Sequence, residues 1–164
     1  LNTILKAAGL PGSKWIYGES TAVPSLALMS LWTVGGTVVI FLAGLQNVPK
    51  ELYEAVEVDG GGWFSKLKDV TIPMVSPTIF FNLIMSFISS FQVFSQAYIM
   101  TAGGPNNSTL FYVYYMYREA FQYGNVGVAS ALGWILFLII LVLTMIVFKS
   151  SALWVFYDGE VKNK

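Results

Sequence analysis

Cysteine and histidine are both missing from this chain of 164 residues. Their absence removes disulfides, thiol nucleophiles, the usual zinc sites and imidazole acid–base chemistry together. Charge is scarce as well: 11% of residues are charged, where a soluble domain carries about 25%. The formal net charge is zero, so nothing electrostatic favours nucleic acid or a polybasic attachment to a membrane surface. No charged-then-apolar signal pattern follows Leu1, and the chain reads as a piece of something longer. What is abundant is apolar: 55% of residues are hydrophobic and 16% aromatic, with a mean hydropathy of +0.64. A composition this short of charge points to burial in lipid rather than to a soluble core.

Three uncharged segments pass the length test for crossing a bilayer, which takes about 20 largely apolar residues. They are residues 24–45 (PSLALMSLWTVGGTVVIFLAGL), 74–100 (MVSPTIFFNLIMSFISSFQVFSQAYIM) and 128–148 (VASALGWILFLIILVLTMIVF). The last shows no polar face at helical spacing, as a helix of a soluble bundle would. The expectation is an all-α membrane protein with three transmembrane helices. Three crossings place Lys6, Lys14 and Arg118 on one side and Lys50, Lys66, Lys68, Lys149, Lys162 and Lys164 on the other. The side richer in Lys and Arg is expected to be cytoplasmic. Loop 46–73 and the C-terminus then lie inside the cell, in a multi-pass protein of the cell (inner) membrane.

Residues 50–73, KELYEAVEVDGGGWFSKLKDVTIP, concentrate five acidic residues, three lysines and three consecutive glycines between two apolar segments. Pro49 suits the first turn of a helix, and Glu51 and Glu54 sit near the positive end of its dipole. Leu52, Ala55 and Val56 recur at i, i+3 and i+4 and form one narrow apolar face. Asp59 and glycines 60–62 end the helix, because glycine readily takes the left-handed conformation found there. A second amphipathic piece, about 63–70, runs to Pro73, where the next crossing is expected to begin. Periodicity alone leaves two readings open: a helix–turn–helix over about 49–70 held at the membrane face, or an ordinary solvated loop.

The second apolar segment is unusually polar for its depth, with Asn82, Ser86, Ser89, Ser90, Gln92, Ser95 and Gln96. Such groups are costly in lipid unless they face a partner helix, the bundle interior or water. Ser86, Ser89, Ser90, Gln92 and Gln96 fall on one broad face interleaved with Phe87, Phe91 and Phe94. Hydroxyls and amides beside aromatic rings suit a neutral sugar or polyol; polar bridging between helices is the other reading. Gly35–Gly36 in the first segment permits close helix approach or a local break. Residues 110–123, LFYVYYMYREAFQY, hold seven aromatics and read as an interfacial helix, since tyrosine favours the headgroup level.

No catalytic constellation is present, and no Gly, four residues, Gly-Lys-Ser/Thr pattern marks a nucleotide site. Glu54, Glu57 and Asp59 lie near lysines and read as a solvated charged face. Arg118–Glu119 reads as a surface pair.

Glu54-Ala55-Val56, three residues, Gly60, nine residues, then Val70-Thr71-Ile72-Pro73 resembles the EAA motif of the membrane subunits of ABC importers. Glu54, Ala55, Asp59, Gly60 and Pro73 match that pattern. Val56, Val70 and Ile72 depart from it while staying apolar. FLAGLQNVPKELYEA, TAGGPNNST at 101–109 and AFQYGNVGVASAL at 120–132 are similar to the carbohydrate-uptake branch of the family. Permeases of this kind usually carry five or six core spans, so the resemblance covers the last three and implies a C-terminal part of one transmembrane domain, with no soluble domain.

The resemblance implies a channel-forming subunit for a sugar or related polyol that binds no cofactor of its own. Its implied partners are a cytoplasmic ATPase dimer that binds and hydrolyses ATP, a second permease subunit and an extracytoplasmic solute-binding protein. It further implies that Leu52, Glu54, Ala55, Val56, Asp59 and Gly60 form the coupling element. Trp32 and Thr37 then occupy family positions near the substrate path, with Ser86, Ser89, Ser90, Gln92 and Gln96 of the next span. A secondary transporter or channel subunit is the rival class. It usually needs an ionisable residue at membrane depth, and none of the three apolar segments carries one.

Overall fold

The computed structural model describes residues 2–9 and 11–156, and every regular element among them is helical. In chain order these are α1 (Asn2–Ala7), α2 (Glu19–Gln46), α3 (Lys50–Val58), α4 (Trp63–Phe91), α5 (Tyr112–Tyr117) and α6 (Val126–Trp154). Helices α2, α4 and α6 are long and apolar enough to cross a membrane. Little of their surface is covered by this chain itself: 17% of the apolar window of α4 is buried, and 6% in each of the others. Most of it is therefore left for lipid or for other protein.

The expected boundaries move in instructive ways. Helix α2 begins at Glu19, with Pro24 inside it rather than at its start. Helix α4 does not stop and restart at Pro73: it runs from Trp63 and ends at Phe91, short of the expected 100. Residues 92–94 are not helical, and a separate π-helical turn, Ala97–Thr101, follows. The 110–123 segment is helical over Tyr112–Tyr117 and continues as a π turn, Arg118–Gln122. Lys162 and Lys164 of the expected cytoplasmic tail lie outside the described residues.

The chain groups into two compact units, and all three long helices contribute to both. One unit comprises Val34–Ile88 with the residues from Ile139 on. Its core is Val48, Val70 and Val75, packed with Phe41, Tyr53, Val56, Met74 and Ile79. A Cβ on Gly44 would lie 2.9 Å from Thr78 Oγ1, so α2 and α4 approach closely there. Phe80 meets Phe148 edge-on at 5.1 Å.

Two prolines stand inside the base of α4 and both are accommodated. Pro73 lacks an N–H and crowds the carbonyl of residue 69. The backbone before it widens into a π turn, Lys66–Thr71, in which the Ile72 N–H reaches back to the Leu67 carbonyl. Pro77 cannot supply the donor that the Pro73 carbonyl expects. The Ser76 hydroxyl supplies it instead at 2.6 Å, and itself accepts from the Phe156 N–H at 2.8 Å. Ser76 is buried, so its loss orphans groups that water cannot reach. Ser76→Ala is therefore expected to cost about 1–3 kcal/mol, read as a lower unfolding temperature of the purified protein in detergent. A change no larger than that of an exposed control such as Ser86→Ala would show the hydroxyl to be dispensable.

The other unit comprises residues up to Thr33 with Ser89–Leu138. Asn2 ties α1 to the loop that follows through Ser13 and the Trp15 indole. The 101–109 loop is closed on itself: Thr109, fully buried, donates to the Gly104 carbonyl at 2.9 Å and lies 2.6 Å from the Thr101 hydroxyl. Asn106 meets Glu19 at the start of α2, and Arg118 reaches Asn107. Phe94, Tyr98, Tyr114 and Tyr117 pack ring against ring, and the Tyr112 hydroxyl donates to the Leu132 carbonyl of α6 at 2.8 Å. Glu119 is buried rather than paired on the surface with Arg118: Asn125, just before α6, donates to its carboxylate at 2.9 Å. The Tyr115 phenol also bonds to that carboxylate, which holds its pKa above the usual tyrosine value.

Candidate functional site

Helix α2 loses α-helical geometry within its apolar stretch, and the second apolar segment loses it just past the end of α4. In α2 the four residues Leu31–Val34 tighten to a 3₁₀ turn. Gly35 and Gly36 follow that turn, and no atom among the described residues lies within 4 Å of a Cβ built on either. In the second segment, helix gives way at 92–94, where the Gln92 N–H turns back to the Ser89 carbonyl at 3.1 Å. Irregular backbone at membrane depth is tolerated where it is buried in protein or lines a wet cavity. Here both irregularities border one cavity of about 680 Å³, into which Ser30 and Thr33 come from α2 and Ser89, Ser90, Phe91 and Gln96 from the second segment. Phe111 and Tyr112 add aromatic wall.

The lining mixes hydroxyls, an amide and rings, and contains no charged side chain. Ser30 donates to the Ala27 carbonyl and Thr33 to the Ser30 carbonyl, both at 2.7 Å. Each hydroxyl keeps acceptor lone pairs after that bond. The Gln96 side chain brings both donors and an acceptor. This inventory matches the hydroxyl groups of a neutral polar solute, with ring faces for its C–H surfaces.

The other unit carries the charged helix and its turn. Pro49 is the N-cap of α3, with Glu51 in the first turn. The helix ends in a Schellman motif: Gly60 takes φ +78°, its N–H bonds to the Glu57 carbonyl at 3.0 Å, and the Gly61 N–H reaches Val56 at 2.8 Å. Tyr53 and Val56 are the half-buried residues of α3, and Glu57 beside them is exposed. Tyr53 and Val56 pack on the valine core, and Glu57 pairs with Lys66. Glu51, Leu52, Glu54, Ala55 and Val58 are exposed, Val58 by 87%. Beyond the turn, Trp63 and Phe64 are exposed as well, by 75% and 67%. Large apolar side chains left exposed together in this way mark a contact surface for protein or membrane.

The sequence family described as the inner membrane component of binding-protein-dependent transport systems matches residues 5–154. The chain belongs to that family. Among relatives, it is 40% identical over 148 residues to a probable ABC transporter permease, YesP, of Bacillus subtilis, covering 89% of this chain and 48% of the relative. It is 36% identical over 152 residues to the arabinooligosaccharides permease AraP of the same organism, covering 92% and 49%. The sulfoquinovosyl glycerol permease SmoG of Agrobacterium fabrum is 32% identical over 147 residues, with 89% and 48% covered. The chain thus spans about half the length of the curated relatives it matches. A bacterial ABC transporter that imports the acidic polysaccharide alginate shares its fold, with a TM-score of 0.78 at 23% identity over 92% of this chain and 54% of the other.

With the permease family established, the residues singled out from sequence sort by position. Ser89, Ser90 and Gln96 come together at the cavity, and Trp32 shares a neighbouring hollow with Gln96. Ser86 and Gln92 are exposed and Thr37 is half-buried, and none of the three lines that cavity. Ser30 and Thr33 were not legible as site residues, because each stands alone in an apolar run; their signal is their offset of one helical turn. On α3, the expected face of Leu52, Ala55 and Val56 is split. Leu52 and Ala55 are exposed with Glu54, Asp59 and Gly60, whereas Val56 belongs to this chain's own core.

Proposed function

We propose that this permease forms part of the path by which an ATP-driven importer takes up a neutral sugar or related polyol. Its partners in this reading are a cytoplasmic ATPase dimer that carries ATP and its hydrolysis, a second permease and an extracytoplasmic solute-binding protein. Loop 46–73 faces the cytoplasm, where the basic residues are richer, and the exposed face of α3 docks on the ATPase. The observation that carries the reading is the uncharged cavity of hydroxyl, amide and aromatic groups where two apolar segments both lose regularity. Relatives named for arabinooligosaccharides and sulfoquinovosyl glycerol support the sugar class.

Ser89→Leu and Gln96→Leu are expected to lower uptake of the transported member of a radiolabelled neutral-oligosaccharide panel by about tenfold, the factor that ~1.4 kcal/mol represents. The ATPase should still co-purify in full with either variant. Ser86→Leu, whose side chain is exposed outside the cavity, should transport normally. If the two cavity variants lose assembly while transport per assembled complex is unchanged, these side chains bridge helices and do not line the path.

A further inference from the structure

Between the end of α3 and the start of α4 the covalent link is Asp59 and three glycines. That link is closed by the Schellman bonds of Gly60 and Gly61, and Tyr53 and Val56 pack on the valine core across it. Apolar packing alone fixes no orientation, and two polar side-chain contacts span the same gap. The Tyr53 hydroxyl lies 3.1 Å from Thr71 Oγ1, and Thr71 Oγ1 donates to the Lys66 carbonyl at 3.1 Å. A threonine hydroxyl has one proton. With that proton committed to Lys66, the Tyr53 hydroxyl must be the donor to Thr71. The result is a directed relay from the side of α3, through Thr71, to a backbone carbonyl of the π turn, and it is partly shielded from water. The same Lys66 pairs through its ammonium group with Glu57, one turn on from Tyr53. The carboxylate side of that ion pair is well exposed, so salt screens it, and the hydroxyl relay is the firmer of the two links.

The π turn makes the geometry possible. Its extra residue per turn lets the Thr71 side chain reach the carbonyl five positions back while Val70, beside it, stays buried in the valine core. The widening that accommodates Pro73 thus also presents a hydroxyl to α3.

We propose that Tyr53 and Thr71 are positioning residues that lock α3 to the base of α4, so that the two helices move as one piece. This rests on the reading of α3 as the ATPase-coupling element. Neither residue belongs to the exposed face of α3, so the lock acts on transmission and not on docking.

These 164 residues hold no cysteine, and any cysteine elsewhere in the full-length permease is first replaced by serine. In the full-length permease, assembled with its ATPase, Lys50→Cys and Lys68→Cys carry spin labels, one on α3 and one on α4; both lysines are exposed. The distance distribution between the labels is expected to be narrow without nucleotide and equally narrow in the ATP–vanadate trapped state. Tyr53→Phe and Thr71→Val should each broaden it and lower binding-protein-stimulated ATP hydrolysis severalfold, with the ATPase still bound in full. Thr71→Ser, which keeps the hydroxyl, should restore both readouts; a purely volumetric role for Thr71 would not be rescued this way. Distributions as narrow as the parent's in both Tyr53→Phe and Thr71→Val overturn the lock. Broadening with unchanged stimulated hydrolysis overturns its part in coupling. An unlabelled Ala55→Arg variant reports separately on whether α3 docks at all, so a failed docking surface and a failed lock give different results.

Discussion

Ala55→Arg is expected to leave the permease folded and to release its ATPase. Ala55 is exposed on α3, beside Leu52, Glu54 and Val58, so a larger side chain meets no obstacle within this chain. In the docked state proposed above it would meet an apolar groove of the ATPase. Covering Leu52, Ala55 and Val58 contributes a few kcal/mol at about 25 cal/mol per Å², and an unpaired guanidinium placed there costs several kcal/mol more. Together these exceed ~2.7 kcal/mol, or about a hundredfold in Kd. Glu54→Gln should be far milder, because an exposed ion pair at the rim of such a contact is worth about 0–1 kcal/mol. Co-purification of the ATPase with each variant, followed by substrate-stimulated hydrolysis, measures both. Should Ala55→Arg keep its ATPase and its stimulated activity, α3 is not the coupling element, and the roles given to Leu52, Glu54, Ala55 and Gly60 fall with it.

Gly60→Val is expected to act in the opposite way: the ATPase stays bound and the stimulation of its activity collapses. Gly60 sits at φ +78° at the end of α3, where a side chain costs about 1–2 kcal/mol and a β-branched one is worse placed still. Its neighbour is confined for a different reason. A Cβ on Gly61 would lie 2.5 Å from Val56 Cγ1 and 2.9 Å from the Val56 carbonyl, so Gly61→Ala pushes directly on the residue that anchors α3 to the valine core. Both changes re-aim α3 while leaving Leu52, Ala55 and Val58 intact. Gly60→Asn is the control, since asparagine visits the left-handed region with little strain. It should retain most of the stimulated hydrolysis that Gly60→Val loses. Equal losses in the two would mean that the turn angle is not what matters at this position.

Much of the architecture was legible in the residues. Charge-free runs of the right length located all three long helices, and the EAA-like spacing located the helix, its glycine stop and its family. What escaped were features that depend on neighbours. Pro24 and Pro73 read as boundaries, yet each lies within a helix; at Pro77, inside the expected span, the missing donor is replaced by Ser76, which only the folded backbone reveals. The break at 92–94 carries no glycine or proline, and no local signal marks it. On α3, a hydrophobic count chose Leu52, Ala55 and Val56 and passed over Tyr53, whose ring packs inward beside Val56 while its hydroxyl bonds to Thr71. Tyrosine is ambiguous in any apolar/polar pattern because it has one end of each kind. Glu119 escaped for a similar reason: its burial depends on Asn125, and nothing in Arg-Glu adjacency announces it.

The bond from the Phe156 N–H to the Ser76 hydroxyl joins residues 80 positions apart. During synthesis, the base of α4 is made long before the residue that completes its hydrogen bonding. Until the end of α6 arrives, Ser76 can serve the Pro73 carbonyl but lacks its own donor from Phe156, and the edge of Phe80 has neither Phe148 nor Trp154 against it. The growing chain therefore holds an unfinished seam beside its charged helix, closed by the end of α6 and by Phe156 just beyond it. A chain cut before residue 156 lacks the donor to Ser76 and leaves that seam open.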